Sequence, residues 1–178
     1  MSFDKLLTKI SQLFKTVKVP YMLVGGFAVA YWGYPRQSLD IDIVMDISPD
    51  KYELFFKKAA NLGFIVNKDE ATNILKIGNR FVMELDDFRV DIWLPKTATE
   101  KKALNRRGQK RLFGRNLSII AAEDLIIAKL LAGRAKDIED VKTVLIRQEK
   151  KLNNKYLNQQ AISLDVLPIL NKLREIVK

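Results

Sequence analysis

Two aspartates stand one residue apart in the segment SLDIDIVMD, which covers residues 38–46. In a β-strand Asp40 and Asp42 point to the same face, with backbone positions about 6.6 Å apart. Two carboxylates at that spacing repel by about 2.5 kcal/mol at an effective dielectric constant of 20. The apolar neighbours indicate a largely buried strand, so this repulsion must be offset. A divalent cation would offset it, because Mg²⁺ takes one or two carboxylates together with phosphate oxygens and water.

A pair of glycines precedes these acids. Gly25 and Gly26 follow the short apolar strand YMLV and open the apolar helix FAVAYWG. A strand-to-helix junction presents free backbone N–H groups at the positive end of a helix dipole, which suits phosphate, and glycine lets the backbone approach closely. Each feature alone is compatible with a simpler interpretation, a tight turn for the glycines and an exposed strand face for the D-x-D. Their order within residues 23–46 is much more specific than either part.

Two further polar residues stand between the glycines and the acids. Arg36 could bind phosphate or neutralise the site, and it is about as compatible with a surface position in a loop. The hydroxyl of Ser38 could hydrogen-bond a phosphate or orient Asp40. Both residues are therefore candidates for the phosphate-binding part of the site.

A third carboxylate is needed if two cations are held, or if a base accepts the proton of an attacking hydroxyl. Asp91 offers it from the middle of the predicted strand FRVDIWL. A salt bridge with Arg89 or another cation is the alternative explanation for this acid. Asp86 and Asp87 are rivals, but their pairing fits a turn better.

These residues resemble the nucleotidyltransferase superfamily that includes DNA polymerase β. That family carries a hydrophobic residue with Gly-Gly or Gly-Ser, then Asp-hydrophobic-Asp, then a carboxylate on a later strand. Val24-Gly25-Gly26, Asp40-Ile41-Asp42 and Asp91 follow this order. RQSLDID is similar to the R-x-T-x-D-x-D of small prokaryotic members, with serine in place of threonine. The chain most resembles the AbiEii-like toxin nucleotidyltransferases, over about residues 20–145.

The segment EDLIIAKLLAGRAKDIEDV resembles a helical part of the same branch. By that resemblance Lys129 would reach the active site or the triphosphate, and Asp137 and Asp140 would support it or fix the helix pair. Lys129 also interrupts an otherwise apolar helix, which calls for a reason, although a lysine there can extend its ammonium to solvent. Acids in a first helical turn are favoured by the helix dipole in any case.

The resemblance implies transfer of a nucleoside monophosphate from an NTP to an acceptor hydroxyl. Asp40 and Asp42 would hold two Mg²⁺ ions, and Asp91 would complete the second metal site and take the proton. Gly25, Gly26 and Ser38 would hold the β and γ phosphates. A non-catalytic nucleotide- or RNA-binding module of the same fold is the alternative, and a metal-dependent nuclease is a third possibility.

The composition limits the chemistry. The chain has 178 residues, 48% of them hydrophobic, with no cysteine and no histidine. This excludes disulfides, thiolate nucleophiles, Ser-His-Asp triads and ordinary zinc sites. The formal charge of +10 favours anionic partners. No long apolar run predicts a membrane span, and no signal peptide is recognisable, so we expect a cytoplasmic protein.

An RNA or tRNA acceptor is suggested by a basic cluster with one aromatic residue, Phe113, available for stacking. Its members are Lys101, Lys102, Arg106, Arg107, Lys110, Arg111 and Arg115. A solvated helix face explains the cluster equally well. The resemblance adds a toxin role and an antitoxin partner. A cationic, aminoglycoside-like acceptor is less favoured, because such acceptors usually need an acidic cleft.

The periodicity predicts an α+β fold, in which a mixed sheet flanked by helices is followed by a mainly helical part. Helices are expected over residues 2–17, in FAVAYWG, and over 48–63. From 64 to 94 the expected texture is β, in FIVNK, NILKIGN, RFVMELD and FRVDIWL, with turns at Gly78-Asn79 and Asp86-Asp87.

The later part of the chain is read in the same way. TATEKKALNRRGQKR predicts a basic helix running into a loop, and LFGRNLSII predicts a strand. AAEDLIIAKLLAG, KDIEDVKTVLIRQEKK and residues 155–177 read as helical. We place a catalytic core in residues 1–95 and a basic, mainly helical region in residues 96–178. The two can pack as one unit.

Overall fold

A computed structural model describes residues 1–35, 40–77, 80–112 and 114–177 of the chain. Its α-helices, in chain order, are α1 (Phe3–Val17), α2 (Gly25–Trp32), α3 (Tyr52–Asn61), α4 (Lys68–Ile77), α5 (Ala98–Arg106), α6 (Ala122–Ala132), α7 (Ala135–Gln148), α8 (Asn154–Ser163) and α9 (Leu167–Ile176). The strands are β1 (Tyr21–Leu23), β2 (Asp40–Met45), β3 (Arg80–Leu85), β4 (Phe88–Trp93), β5 (Gly108–Leu112) and β6 (Arg115–Ile119).

In the described part of the chain these strands form one six-stranded mixed sheet in the order β3-β4-β2-β1-β6-β5. The pairs β2–β4 and β1–β6 are parallel, whereas the central pair β1–β2 and the outer pairs β3–β4 and β5–β6 are antiparallel. With helices on its flanks, the sheet confirms the predicted α+β class. Strands from both sides of residue 96 join it, and the boundary between residues 95 and 96 stays a prediction.

Strand β2 divides its residues between two environments. Ile41, Ile43 and Met45 are buried in the core, whereas Asp40 is exposed and Asp42 is half-buried. Successive side chains of a strand alternate between its two faces, so one face of β2 packs on the core while the other carries the acids. The expectation of a largely buried strand was therefore wrong for the face that carries the aspartates.

Helix α1 begins as its sequence predicts and covers the core. The backbone N–H of Lys5 donates to the hydroxyl of Ser2, which is the N-cap residue. Six apolar residues at helical spacing are buried on α1: Leu6, Leu7, Ile10, Leu13, Phe14 and Val17. Helix α1 packs against α3, and Phe14 contacts both Tyr21 and Phe55 in the core.

Helix α2 joins the sheet to the later helices. It contacts β2, α6 and α7, while α8 packs on α6, and α9 contacts α7 and α8. A Cβ on Gly33, at the end of α2, would lie 2.3 Å from the hydroxyl oxygen of Thr143 on α7, so glycine allows this close approach. These contacts bring α6 and α7 near the end of the sheet where α2 begins.

Two predictions in the β-rich stretch were wrong. The segment NILKIGN was expected to be a strand, but its described residues belong to α4, where Ala71, Ile74 and Leu75 lie at helical spacing against the core. Of FIVNK, Ile65 forms an isolated bridge with Glu84. The turn at Asp86-Asp87 is confirmed, with Asp86 at a φ of 52°. Gly78-Asn79 lies outside the described residues.

A third correction concerns the loop predicted after the basic helix. Residues 108–112 form β5, the strand at one edge of the sheet, although their sequence GQKRL has no apolar alternation. Its antiparallel pairing with β6 supplies the stability that its composition lacks. Charged residues on an edge strand also discourage pairing with other chains.

Within the described ranges, every helix falls short of the length and apolar character that crossing a membrane requires.

Candidate active site

The three candidate carboxylates share one face of the sheet. Asp42 and Asp91 are in register on the adjacent parallel strands β2 and β4. Asp40 pairs with Arg89, two residues earlier on each strand. Residues in register on neighbouring strands point to the same face, and Asp40 lies on that face because it is two residues from Asp42. The structure therefore brings Asp40, Asp42 and Asp91 together, and their catalytic role remains a prediction.

The first glycine of the pair touches this face. Gly25 has a φ of +58°, in the left-handed region, and a Cβ at its position would lie only 2.0 Å from Oδ2 of Asp42. The backbone N–H of Val24 also donates to the carbonyl oxygen of Asp42 at 2.9 Å. Both the backbone conformation and the space beside Asp42 therefore require glycine at residue 25.

The start of helix α2 lies beside Asp42. Its N-cap residue is Val24, whose apolar side chain cannot accept a hydrogen bond from the first N–H groups of the helix. Gly25 and Gly26 form the first turn, and Gly26 is buried. An uncapped helix N-terminus attracts an anion through its N–H groups and its dipole. The predicted phosphate-binding glycines are thus adjacent to the predicted metal-binding acids.

Asp42 occupies an environment that disfavours its charge. Burial raises the pKa of its carboxyl above the ordinary value, and the nearby charges of Asp91 and Asp40 add to the rise. The hydrogen bond from Nε1 of Trp93 to Oδ1 of Asp42, at 3.3 Å, and the positive charge of Lys129 oppose the rise without cancelling it. An added cation would consequently stabilise the ionised form of the Asp42 carboxyl.

Asp91 is already compensated within the chain. It is 5% exposed, and its Oδ1 accepts hydrogen bonds from Arg80 at 2.6 Å and from Arg89 at 3.1 Å. Arg80 lies on β3 and Arg89 two residues before Asp91 on β4, and both side chains remain partly exposed. The salt bridge with Arg89, which the sequence left open as an alternative, is therefore present and is joined by a second guanidinium.

Asp40 and Asp42 form a donor set that suits one divalent cation, and a second ion would require Asp91 as well. Asp40 and Asp42 provide two carboxylates beside a helix N-terminus, which matches the preference of Mg²⁺ for one or two carboxylates plus phosphate. Across the ranges that the structure describes, no group of three or more acidic, histidine or cysteine side chains is arranged to hold a metal ion. Asp91 is already paired with the guanidiniums of Arg80 and Arg89, and a second ion with Asp91 as ligand stays a prediction.

Lys129 belongs to a buried ion-pair cluster between α6 and α7. Its ammonium lies 2.7 Å from Oδ1 of Asp137 and 2.9 Å from Oδ2 of Asp140, and Arg134 donates to Asp137 at 2.6 Å. Burial alone would raise the pKa of Asp137, but the hydrogen bonds from Arg134 and Lys129 outweigh it and lower the pKa to about 2. Asp137 and Asp140 hold the helix pair together. The role of Lys129 at the triphosphate stays a prediction. Its positive charge is near enough to Asp42 to lower the pKa of that carboxyl.

Three candidate residues lie outside the described residues: Arg36, Ser38 and Phe113. Their predicted roles in phosphate binding and stacking remain predictions.

The basic cluster predicted to follow RNA is partly used inside the protein. Arg106 donates to Asp124 at 2.9 Å and its guanidinium lies 3.5 Å from the ring centroid of Tyr156. Lys102 lies over the same ring, Lys110 lies over the ring of Trp32, and Arg115 pairs with Asp4. Several basic side chains that were predicted to bind RNA therefore make contacts within the protein instead.

A groove of about 510 Å³ lies elsewhere, between α1 and the strands β1, β5 and β6. Polar and basic residues such as Lys15, Arg107, Gln109 and Ser118 line it. No carboxylate belongs to its described lining, so this groove is distinct from the face that carries the candidate acids.

Sequence reasoning missed Trp93, Arg80 and Arg134 as neighbours of the acids. Trp93 could have been found, because it lies two residues from Asp91 and therefore on the same face of the strand. Arg80 could have been found from the two-residue turn at Asp86-Asp87, which sets the observed pairing of Arg80 with Trp93. Arg134 could also have been found, because it lies three residues before Asp137 at the start of α7, where side chains at i and i+3 are neighbours.

Comparison with proteins of known structure identifies the fold of the chain. No protein-family model matches the sequence, and no curated protein resembles it significantly. Among solved structures, ANT(2″)-Ia in complex with adenylyl-2″-tobramycin shares 16% identity at a TM-score of 0.59, over 91% of this chain and 96% of that chain. LnuA, a lincosamide antibiotic adenylyltransferase with lincomycin bound, shares 18% identity at a TM-score of 0.54, over 81% of this chain and 96% of that chain.

A third similar structure is an antigenic nucleotidyltransferase-like protein from Paracoccidioides brasiliensis. It shares 14% identity at a TM-score of 0.54, over 97% of this chain and 92% of that chain. At such identities the likeness concerns the fold, and it confirms the fold that the resemblance predicted. The chain has the nucleotidyltransferase fold, and the AbiEii-like branch stays a prediction.

Proposed function

Because the chain has the nucleotidyltransferase fold, we propose that the protein transfers a nucleoside monophosphate from an NTP to an acceptor hydroxyl. The observation that carries the proposal is the placement of Asp42. It shares a sheet face with Asp40 and Asp91, touches the position where Gly25 has no side chain, and has a raised pKa. A half-buried carboxylate whose charge is disfavoured, next to a helix N-terminus, suits a cation that arrives with a triphosphate.

The residues of the chain have separate parts in the proposed reaction. Asp40 and Asp42 bind the magnesium–nucleotide complex, while Gly25 and Gly26 present the N-terminus of α2 to the β and γ phosphates. Arg36, Ser38 and Lys129 are proposed to add to phosphate binding. When bound, Mg²⁺ supplies charge neutralisation on the phosphates and a more acidic acceptor hydroxyl. Two ions are proposed, with Asp91 as a ligand of the second.

The proposed transfer replaces one oxygen–phosphorus bond with another. The acceptor oxygen forms a bond with the α-phosphorus, the bond from that phosphorus to the bridging oxygen breaks, and pyrophosphate leaves. The hydroxyl proton goes to the carboxylate of Asp91. For Asp91 to accept it, Arg80 and Arg89 must turn from the carboxylate towards the incoming phosphates, whose negative charge attracts them.

An anionic acceptor fits the charges at the site better than a cationic one. Arg80 and Arg89 lie on the same face as the acids, and the chain as a whole carries a formal charge of +10. A polyamine antibiotic would meet these guanidiniums, so the acceptor proposed is RNA or tRNA with a free hydroxyl. A role as the toxin of a toxin–antitoxin pair, with an antitoxin partner, is proposed from the resemblance alone.

One observation favours a second candidate function. The two guanidiniums on Asp91 neutralise the acid that would serve as base. If they stay in place when the nucleotide binds, the protein is a non-catalytic nucleotide- or RNA-binding module. A metal-dependent nuclease is a third candidate, but cleavage does not need the glycine-lined helix N-terminus.

The test combines the chain with Mg²⁺, each labelled NTP in turn, and total RNA. We expect label on RNA and released pyrophosphate, both lost in Asp42→Asn. Glu84→Gln is the matched control, because Glu84 is exposed on β3, which β4 separates from the strand of Asp42, and it belongs to no proposed step. Nucleotide binding without transfer would support the binding module, and shortened RNA without any NTP would support the nuclease.

A further inference from the structure

An aromatic side chain stands unexplained at the edge of the candidate site. Trp93 ends strand β4, two residues beyond Asp91 and in register with Val44 of β2. Although tryptophan carries one of the largest apolar surfaces among amino acids, this residue is 40% exposed. The fold therefore leaves apolar surface of Trp93 in solvent among charged groups.

Two contacts fix the orientation of this indole. Its Nε1 donates to Oδ1 of Asp42 at 3.3 Å, and the guanidinium of Arg80 lies over its ring, 5.3 Å from the ring centroid. Arg80 is itself held by Asp91. The hydrogen bond to Asp42 pre-organises the ring, so stacking on it costs little side-chain entropy, and the proposed movement of Arg80 towards the phosphates would uncover one of its faces.

The other tryptophan of the chain shows what a structural role looks like. Trp32 is half-buried, its Nε1 donates to the carbonyl oxygen of Ile120 at 2.8 Å, and its ring packs edge-on against Tyr31. Trp32 therefore joins α2 to the end of β6. Trp93 makes no comparable link to the backbone among the described residues, and its hydrogen bond goes to a candidate catalytic carboxylate instead.

We infer that Trp93 is the surface on which a nucleobase stacks at this site. The inference rests on the proposed function, because it takes the ligand of Asp42 to be a nucleotide. An indole hydrogen-bonded to Asp42, which is proposed to bind the cation of the magnesium–nucleotide complex, lies within the length of one nucleotide from the reacting phosphorus. A planar uncharged ring suits the position, since a cationic ligand would meet Arg80 and Arg89.

The base could belong to the NTP or to the terminal nucleotide of the acceptor, and the experiment has an arm for each. The probes are an NTP with Mg²⁺, a 3′-blocked single-stranded oligonucleotide, and ribose 5-triphosphate with Mg²⁺, which has no base. Each is titrated while tryptophan fluorescence is recorded, because a stacked base quenches an indole. Trp32 and Trp93 are the tryptophans of the sequence, so Trp93→Phe reports the signal of Trp32 alone.

We expect quenching by a base-containing ligand in the unchanged chain and none by ribose 5-triphosphate. In Trp93→Leu, affinity for that base-containing ligand should fall by about 5- to 140-fold, the range that stacking on an aromatic residue supplies per base. Trp93→Phe should bind within about threefold of the unchanged chain, since it keeps a ring and loses only the Nε1 donor. Affinity for ribose 5-triphosphate should not change in either variant.

Several results would overturn the inference. One is that Trp93→Leu binds every ligand with the same affinity as the unchanged chain. Another is that the unchanged chain binds no base-containing probe. An equal loss of ribose 5-triphosphate would show that Trp93 acts through Asp42. If Trp93→Leu fails to fold, the comparison of the unchanged chain with Trp93→Phe decides the matter, because quenching by a base-containing probe should disappear when Trp32 is the remaining tryptophan. Base-dependent quenching without any label transfer would refute the proposed catalysis while the stacking surface stands.

Discussion

Two groups of acidic side chains lie close together in this molecule and are treated in opposite ways. Between α6 and α7, Asp137 and Asp140 are almost fully buried and bound to Lys129 and, for Asp137, also to Arg134. On the sheet, Asp42 is half-buried and, within the described residues, takes its side-chain hydrogen bond from the neutral Trp93. The pKa of Asp137 is lowered to about 2, whereas that of Asp42 is raised.

The difference separates structural acids from candidate functional ones. Buried charges persist in proteins when partners compensate them, and an acid whose ionised form is disfavoured needs another reason to be there. Asp91 stands between the two cases, since it shares the face of Asp42 but carries two guanidiniums. Burial alone would not have distinguished the groups, because Asp91 and Asp140 are similarly buried.

The largest expected effect lies on the sheet. Asp42→Asn should lower the transfer rate by about 10³-fold or more, because a cation's stabilisation of the transition state amounts to several kcal/mol. The melting temperature should stay equal or rise, since the substitution removes a charge that the fold disfavours. Single-turnover kinetics and thermal unfolding test both parts. A clear drop in melting temperature would place Asp42 with the structural acids.

The second effect lies in the helix pair. Lys129→Met should reduce the free energy of unfolding by about 3–5 kcal/mol, because it leaves buried Asp137 and Asp140 without their shared partner. The matched control is Lys142→Met on α7, where Lys142 pairs with the largely exposed Glu139. That change should amount to about 0–1 kcal/mol. Urea denaturation measures both, and equal losses would remove the contrast between the two regions.

A third prediction concerns the approach of α2 to Asp42. Gly25→Ala should cost about 2–4 kcal/mol in unfolding free energy and most of the nucleotide affinity, because strain at positive φ adds to a clash with the carboxylate. Gly114→Ala isolates the strain. Gly114 has a φ of +75°, but its Cβ would meet nothing within 4 Å, so a loss of about 1–2 kcal/mol is expected. If both variants lose the same amount, the close contact with Asp42 is not real.

The smallest effect is a pH dependence of stability. Because the pKa of Asp137 is about 2 in the folded chain and 3.8 in the reference state, its ion pairs stabilise the fold above about pH 4. The contribution, up to about 2 kcal/mol, is lost as the pH falls towards 2. Carbon-13 NMR titration of the Asp137 carboxyl checks the cause directly. A pKa near 4 would mean that the cluster does not favour the ionised acid.

The residues that meet at the site could be predicted because local rules place them. Gly25-Gly26 indicates a strand-to-helix junction, and Asp40-Ile41-Asp42 indicates a strand, each from its own local sequence. Asp91 likewise lies in a strand that its alternating pattern predicts. Of the two guanidiniums on Asp91, that of Arg89 was considered from the sequence, because Arg89 lies two residues away on the same strand. That of Arg80 was missed, because its approach depends on β3 lying beside β4 and on the register of the β3–β4 hairpin.

Two element assignments failed for a related reason. Residues 73–77 are rich in isoleucine and leucine, which fit a strand or a helix, and their packing on the core as part of α4 decided between them. Residues 108–112 have almost no apolar pattern and became a strand because β6 offers a partner. In both cases contacts far along the sequence outweighed local preference.

The position of β6 between β1 and β5 has a consequence for synthesis on the ribosome. Strand β1 is among the first elements to emerge, yet its partner on one side is completed only at Ile119. Until then the nascent chain displays an unpaired backbone edge at β1, where foreign strands could add. A product that terminates prematurely near residue 95 would keep this edge exposed, so we expect it to be captured by chaperones or to precipitate.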